Sequence, residues 1–552
     1  MGHIFFVLVA FFGFVFGAIA QPIQNHIVGI TPIKGNEPAV AFSPINPQKG
    51  VLAFNVNQVY TTDDGGKTWS LTVVDPLQGF YGDPVLKYGK NGTVYLAHLS
   101  KNKNLPWPQH FDRIVFERSV DGGRLFTATD VGYHPGKMQD KPWFAVDEWS
   151  GSKFKGNIYL SYTEFDVYGS KLPTDSSRIF FAVSNDDGRS FSTPVKVSDK
   201  CGTADDDDGT LEGANCAITP DGVIHLVWAG RDTIWYDKSV DGGKTWGTDK
   251  VIGLQRGGWN HGELPGQMRA NGMPFIVASK KGELYVVYSS SPLKEFELEK
   301  KSSNAESGSW SNAGTLSEHV PDLDVYLLYS NNGGKDFDPI LVDGNDNPQY
   351  SPMIGVDPAG QEVWISWQDR RRSTTGYFFD IYGCYIVGKK ISKPIRMSAV
   401  PSVAPGKIQF MGDYLGLSVG SKKVWGAYTA WSLPDKFPYI RLIEMDRNSA
   451  GKKGYAKIEF AELVAYPTEV EKDNGKKKSI RRLAIWAAWP DAKSLTVEIR
   501  QGKQMVFQHV FESVDFGYVD MTIPLEKLGQ GVFDVITRSK GKEIKQQLYL
   551  HP

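Results

Sequence analysis

Five copies of one short pattern constrain this chain more than any other feature. Each copy reads Ser/Thr, one residue, Asp/Asn, one residue, Gly, two residues, Trp/Phe. They are Thr62-Asp64-Gly66-Trp69, Ser119-Asp121-Gly123-Phe126, Ser184-Asp186-Gly188-Phe191, Ser239-Asp241-Gly243-Trp246 and Ser330-Asn332-Gly334-Phe337. Short hydroxyl and carboxylate side chains satisfy turn amides, and Gly permits positive φ. Each copy therefore reads as a hairpin turn with its aromatic packed beneath the hairpin.

A second repeat runs through the same region. A lead-in segment ending near a turn precedes an aromatic-rich alternating strand. The strands are 51–55, 94–98, 158–162, 224–228, 284–288, 363–367 and 424–428. Their lead-ins carry Glu37, Asp83, Asp140, Glu212, Met273-Pro274, Tyr350 and Asp413. Repeated strand units about 60 residues apart mean an all-β propeller of four-stranded blades, with the turn motif joining the outer two strands. The pattern predicts seven blades over roughly residues 30–448. Six is the alternative, if the weakly patterned first unit only closes the ring. Residues 292–321, rich in Ser, Glu and Lys, read as an inserted surface loop.

The two ends differ in texture from the middle. Residues 4–20 are apolar or small and end in Ala18-Ile19-Ala20, which reads as a signal peptide cleaved near Ala20. An uncleaved membrane anchor is the alternative, but the run is short for a span. The mature protein is expected to be secreted, periplasmic or on the cell surface, with no membrane span. The propeller domain is drawn over residues 21–448. After a linker near 448–453, residues 455–552 lack the turn motif and carry alternating runs expected of a small C-terminal β-sandwich. Lys472–Lys478 reads there as an exposed hairpin. Lys+Arg of 61 against Asp+Glu of 62 leaves a formal charge of −1 and no global basic field for nucleic acid.

Cysteine is sparse: Cys201, Cys216 and Cys384. No CxxC pair suggests zinc. Cys201 and Cys216 bracket an acidic loop, Asp205–Asp208. In an exported protein they could close it as a disulfide or stay free. The four aspartates could hold a structural calcium, since carboxylate oxygens suit it, or form a solvated loop. No other cofactor is expected.

The five turn motifs resemble the Asp-boxes (BNR repeats) of the sialidase, or neuraminidase, superfamily. Asp140-Lys141-Pro142-Trp143, Gly258-Trp259, Trp367–Arg371 and Gly412-Asp413-Tyr414 are similar to stretches of secreted bacterial sialidase-like proteins. Leu528–Phe533 resembles the ends of bacterial type IX sorting domains; a glycan-binding module or structural cap fits that region equally. The main resemblance implies a six- or seven-bladed propeller and exo-sialidase-type hydrolysis. That chemistry uses three carboxylate-binding arginines, a Tyr nucleophile with a Glu base, and an Asp acid/base. The matching types here are Arg231, Arg269 and Arg370; Tyr350 with Glu212; and Asp140 or Asp83. The first arginine of the family pattern has no counterpart, because no arginine precedes Arg113.

In a propeller, the lead-ins to the inner strands and the exits from the second strands converge on one funnel. The exits carry His98, Glu164, Arg231, Asp369, Arg370 and Trp431. Arginines can grip a carboxylate or sulfate, and Trp431 can stack on a sugar ring. The expected partner is thus an acidic oligo- or polysaccharide. Three functions stay open: glycoside hydrolysis; polysaccharide lysis of uronic-acid chains, with His261 or Tyr350 taking a C5 proton beside Arg269; and non-catalytic glycan or protein binding.

Overall fold

The computed structural model describes residues 23–28, 35–55, 57–293, 322–373, 378–399, 401–403, 410–432, 437–447, 462–472, 478–489, 492–512, 514 and 518–550. The candidate signal peptide, the 448–453 linker and nearly all of the 292–321 insertion lie outside them. The described residues form antiparallel sheets throughout, with a single 3-10 turn, Leu525–Lys527, and no helix long and apolar enough to cross a membrane.

Among the described residues, seven sheets lie between Ile23 and Asp446. The first comprises Ala39–Phe42, Gly50–Phe54, Gln58–Thr62 and Ser70–Val73. The second comprises Val85–Tyr88, Val94–Leu99, Ile114–Ser119 and Thr127–Val131. The third runs Met138–Val146, Ile158–Phe165, Ser177–Ser184 and Val195–Lys196, and the fourth Glu212–Ile218, Ile224–Gly230, Thr233–Ser239 and Lys250–Leu254. The fifth is Phe275–Ala278, Leu284–Ser290, Asp324–Ser330 and Asp338–Asp343. The sixth starts Gln349–Val356, Val363–Asp369, Phe378–Val387, and its third strand also pairs Ile395–Arg396 and Ser402–Val403. The weakly patterned first unit is thus a complete four-stranded sheet.

The seventh sheet joins the two ends of the region. Its strands Gly416–Val419, Lys423–Ser432 and Phe437–Asp446 come from late in the chain, and its outermost strand is Ile23–Val28, with Ile23 opposite Met445. The first strands of successive sheets touch in order, and Gly416–Val419 of the seventh touches Ala39–Phe42 of the first.

Second strands are buried on both faces, as Val94–Leu99 and Ile224–Gly230 show. The apolar cores therefore lie between sheets. Val51, Phe80, Tyr88 and Leu96 join the first and second. Phe116, Phe144, Leu160 and Tyr162 join the second and third. Phe42, Leu52, Trp425 and Leu442 join the first and seventh.

The turn motif sits between the third and fourth strands of five sheets. In the fourth sheet, Ser239 Oγ donates to Asp241 Oδ1 at 2.8 Å and accepts from the Gly243 amide at 2.9 Å. Asp241 Oδ1 also accepts the amides of Lys244 and Thr245, each at 3.0 Å. In three copies the motif aromatic docks on the preceding sheet instead of under its own hairpin: Trp246 on Phe181 at 4.7 Å, Phe191 on Phe116 at 4.9 Å and Phe337 on Tyr236 at 5.2 Å. The rings they meet, Phe116, Phe181 and Tyr236, belong to the apolar cores between sheets. Trp69 instead meets Phe42 of its own sheet and donates to the Gly66 carbonyl at 2.9 Å.

After residue 462 a three-stranded sheet, Glu462–Lys472, Lys478–Ala488 and Tyr518–Pro524, shares a core with a four-stranded one, Gln504–Phe511, Leu495–Gln501, Gly531–Ser539 and Lys542–Leu550. Leu528–Phe533 covers the turn at 528–530 and the first three residues of the strand Gly531–Ser539. The tip of the 472–478 hairpin lies outside the described residues. All three cysteines are free thiols, so the Cys201–Cys216 bridge does not form. Cys216 lies in an inner strand against the Tyr159 carbonyl at 3.8 Å, and burial pushes its thiol up to about 12.

Asp241→Ala removes the oxygens that bind two turn amides and should cost about 1 kcal/mol, read by thermal or urea unfolding. The side-chain bond from Ser190 and then the other bonds on Asp186 hold that carboxyl down near 2; for Asp241 burial works against such bonds, yet it too lies near 2. A depressed folded pKa stabilises above the unfolded value near 4. Wild-type stability should therefore fall between pH 4 and 2 more than that of the Asp186→Asn, Asp241→Asn double variant.

Candidate functional site

The lead-in segments bend sharply before each inner strand. Strand register shifts between Asp140 and Trp143, between Glu212 and Asn215 and between Tyr350 and Met353. Non-glycine residues take positive φ at the bends: Glu37 at 53°, Asp83 at 53°, Lys141 at 46° and Ser351 at 49°. Such conformations cost of order 1–3 kcal/mol each and concentrate where function requires them. Here they turn charged side chains out of the sheets and toward one another.

Lys141 is the centre of the resulting ion lattice. Its ammonium lies 2.8 Å from Asp83 Oδ2, 2.9 Å from Asp413 Oδ2 and 3.6 Å from Glu37 Oε1. Arg269 grips Asp413 with two nitrogens, Nε at 2.7 Å and Nη2, and sends Nη1 3.3 Å to Asp206 Oδ2. Its guanidinium is stacked near Trp259 and Phe410. Asn55 ties the first sheet in, donating to Glu37 Oε2 at 2.6 Å and accepting the Asp83 amide at 2.9 Å. Although burial pushes it upward, Asp413 is held well below the ordinary carboxylate range by Arg269 and Lys141. Burial and then the Asp83 charge drive Glu37 well above it.

Beside this lattice lies a second group. One oxygen from each of Asp140, Asp206 and Glu212 falls within 4.8 Å of the others. Burial raises Asp140 to about 8, and burial with the Asp206 and Asp140 charges drives Glu212 well above its usual value. Tyr168 donates to Asp206 Oδ2 at 2.6 Å.

The lattice floors a cavity of about 340 Å³. Asp83, Asp140, Lys141 and Glu37 line its base, and Tyr81, Trp107, Tyr168 and Phe410 line its walls. Trp107 is 60% exposed. A second cavity of about 320 Å³ is walled mainly by inner strands, with Val40, Leu86, Val146 and Ile218, and lacks a converging set of carboxylates.

The structure brings together Asp83, Asp140, Glu212 and Arg269 from the residues expected by sequence. Tyr350, Arg370, Arg231 and His261 have other partners. Tyr350 is fully buried; its hydroxyl donates to Gln267 Oε1 at 2.9 Å and accepts from Arg370 Nε at 3.0 Å. It makes no bond to Glu212, so the expected nucleophile–base pair is not formed. Arg370 is itself buried, donating also to the Pro265 carbonyl. Arg231 donates to the Cys201 carbonyl at 2.6 Å. The three arginines thus engage protein groups, not a shared open face. His261 Nε2 lies 3.1 Å from the Ser289 carbonyl oxygen, and burial lowers its ring to about 4. The Trp431 side chain lies outside the described residues.

The acidic loop does not converge on one ion as a unit. Asp205 accepts from Thr203, Asp207 from the Asp208 amide, and Asp208 from the Asn260 amide; only Asp206 turns to Asp140 and Glu212. Sequence reasoning missed Lys141, Asp206 and the wall aromatics as site residues. The alternation of charge in Asp140-Lys141 at a lead-in was the available signal for Lys141.

No protein-family model matches the sequence, and neither does any curated protein. Among solved structures, the intramolecular trans-sialidase from Ruminococcus gnavus is similar at 10% identity over 68% of this chain and 96% of that one, with a TM-score of 0.39. An ulvan lyase bound to -[GlcA(1-4)Rha3S]- is similar at 10% identity over 76% and 95%, with a TM-score of 0.38. The Penicillium chrysogenum α-L-arabinanase complexed with arabinobiose is similar at 14% identity over 60% and 88%, with a TM-score of 0.36. At such scores these likenesses carry no information about activity.

Replacing Lys141 by Met leaves Asp83, Asp413 and Glu37 buried without their shared cation. The variant should lose about 3–5 kcal/mol of stability, measured by denaturant unfolding. A loss below about 1 kcal/mol would mean that the lattice does not depend on Lys141.

Proposed function

We propose that this chain is a carbohydrate-active propeller, with the seven sheets as seven blades and residues 455–552 as a separate sandwich, exported after cleavage near Ala20. The reaction is glycoside hydrolysis, carried out in the 340 Å³ cavity. One observation supports this most: aromatic side chains wall a slot whose floor presents carboxylates. Aromatic faces hold sugar rings, and carboxylates orient hydroxyls and transfer protons. Asp83 and Asp140 reach the slot, and Asp83 is assigned the proton transfer.

The tyrosine route is not favoured, because Tyr350 is buried against Arg370 and Gln267. Nor is the lyase reading with His261 as base, since that ring faces Ser289. An acidic sugar needs positive charge that Lys141 and Arg269 cannot supply alone, as both are already held by carboxylates.

The test is incubation with sialosides, uronate polysaccharides and neutral glycans. New reducing ends without the ultraviolet absorbance of an unsaturated uronate are expected. Such absorbance would indicate a lyase; binding without turnover, a lectin-like role. Trp107→Ala should raise KM about tenfold, equivalent to ~1.4 kcal/mol of lost sugar contact. Tyr350→Phe should keep kcat within a few-fold while lowering stability by about 1–3 kcal/mol, because Arg370 loses an acceptor. Abolished turnover in a stable Tyr350→Phe protein would restore the tyrosine mechanism.

A further inference from the structure

Asp140, Asp206 and Glu212 come from three stretches of chain: the inner strand of the third sheet, the acidic loop, and the inner strand of the fourth. Their oxygens converge within 4.8 Å. Clustering alone would mean little. Glu212 adds an independent observation. It is 0% exposed, and neither of its carboxylate oxygens meets a hydrogen-bond donor. Asp206 Oδ1 is likewise buried and unpartnered. A buried carboxylate without donors is costly, and folded proteins relieve that cost with a partner or a metal.

The neighbouring cations do not fill this role. The Lys141 ammonium is held by Asp83 and Asp413. Arg269 spends two nitrogens on Asp413 and meets Asp206 at the other oxygen, Oδ2.

We propose that Asp140, Asp206 and Glu212 bind a calcium ion. All three donors are hard carboxylate oxygens, which select calcium, magnesium or manganese over softer metals. The three oxygens lie within 4.8 Å of one another, close enough to share one ion, and come from two strands and a loop; calcium accepts such an irregular oxygen set, whereas magnesium demands a near-ideal octahedron. Charge balance points the same way. Lys141 and Arg269 are shared by Glu37, Asp83, Asp413 and Asp206, and among the described residues neither Asp140 nor Glu212 has an ion pair. Because Asp140 also lines the slot, the ion would offset most of the carboxylate charge that an anionic sugar meets at its base. This last consequence rests on the glycan reading; the ion site does not.

The test uses the full chain after dialysis against a chelator. Calcium binding is followed by calorimetry, and terbium binding by luminescence sensitised from Tyr168, whose hydroxyl contacts Asp206. One saturable site is expected, with calcium displacing terbium and raising the melting temperature. Glu212→Gln and Asp206→Asn should each weaken calcium binding at least tenfold. Glu212→Gln should leave the calcium-free fold intact by circular dichroism, since no donor is lost. Absence of binding, or equal binding by both variants, overturns the proposal. Binding of an anionic oligosaccharide is then measured with calcium and with chelator. Calcium binding without glycan binding sinks the glycan reading and leaves the ion. Glycan binding in a protein that takes up no calcium does the reverse.

Discussion

The fold rests on apolar surface that no sheet can bury alone. Second strands such as Val94–Leu99 and Ile224–Gly230 are covered on both faces, and the cover comes from neighbouring sheets. The rings of Phe116, Phe181 and Tyr236 receive aromatics from the turn of the following sheet. These turns thus have two tasks. They end hairpins, and they present rings across the seam. Packing between sheets, not within them, sets their order.

That packing delivers the site. Inner strands held side by side bring their lead-ins to one place, and the bends at Glu37, Asp83, Lys141 and Ser351 are tolerated because the strands after them are fixed. Five of the residues around the slot and its carboxylate cluster are lead-in residues from the first, second, third and fourth sheets. The aromatic walls come instead from longer loops, through Trp107 and Tyr168.

What was legible in the sequence follows range of interaction. Turns such as Ser239–Trp246 and strands such as Val363–Asp369 are set by contacts a few residues apart, so pattern revealed them. Register also flagged Glu37, Asp83, Asp140, Glu212 and Asp413 as facing one funnel. Partner choice was not legible. Arg269 meets Asp413 across 144 positions, and Lys141 meets Asp83 across 58. Nothing local says whether a guanidinium will face a ligand or a carboxylate of its own chain. Arg231, Arg370 and Tyr350 were read as facing a ligand, and the structure gives each a partner within the chain. Asp206 was noticed only as part of an acidic run, since its turn away from Asp205 and Asp207 depends on strands far along the chain.

The strand Ile23–Val28 completes the sheet begun by Gly416–Val419, and that sheet packs on the first. An open stack of repeats has end units with one neighbour, and these fray first. Here the joint at Phe42, Trp425 and Leu442 removes the ends. Any sheet that opens must part from two neighbours together, so the first sheet has no more freedom to open than the fourth. The strained bends at the base of the slot are thereby clamped from both sides.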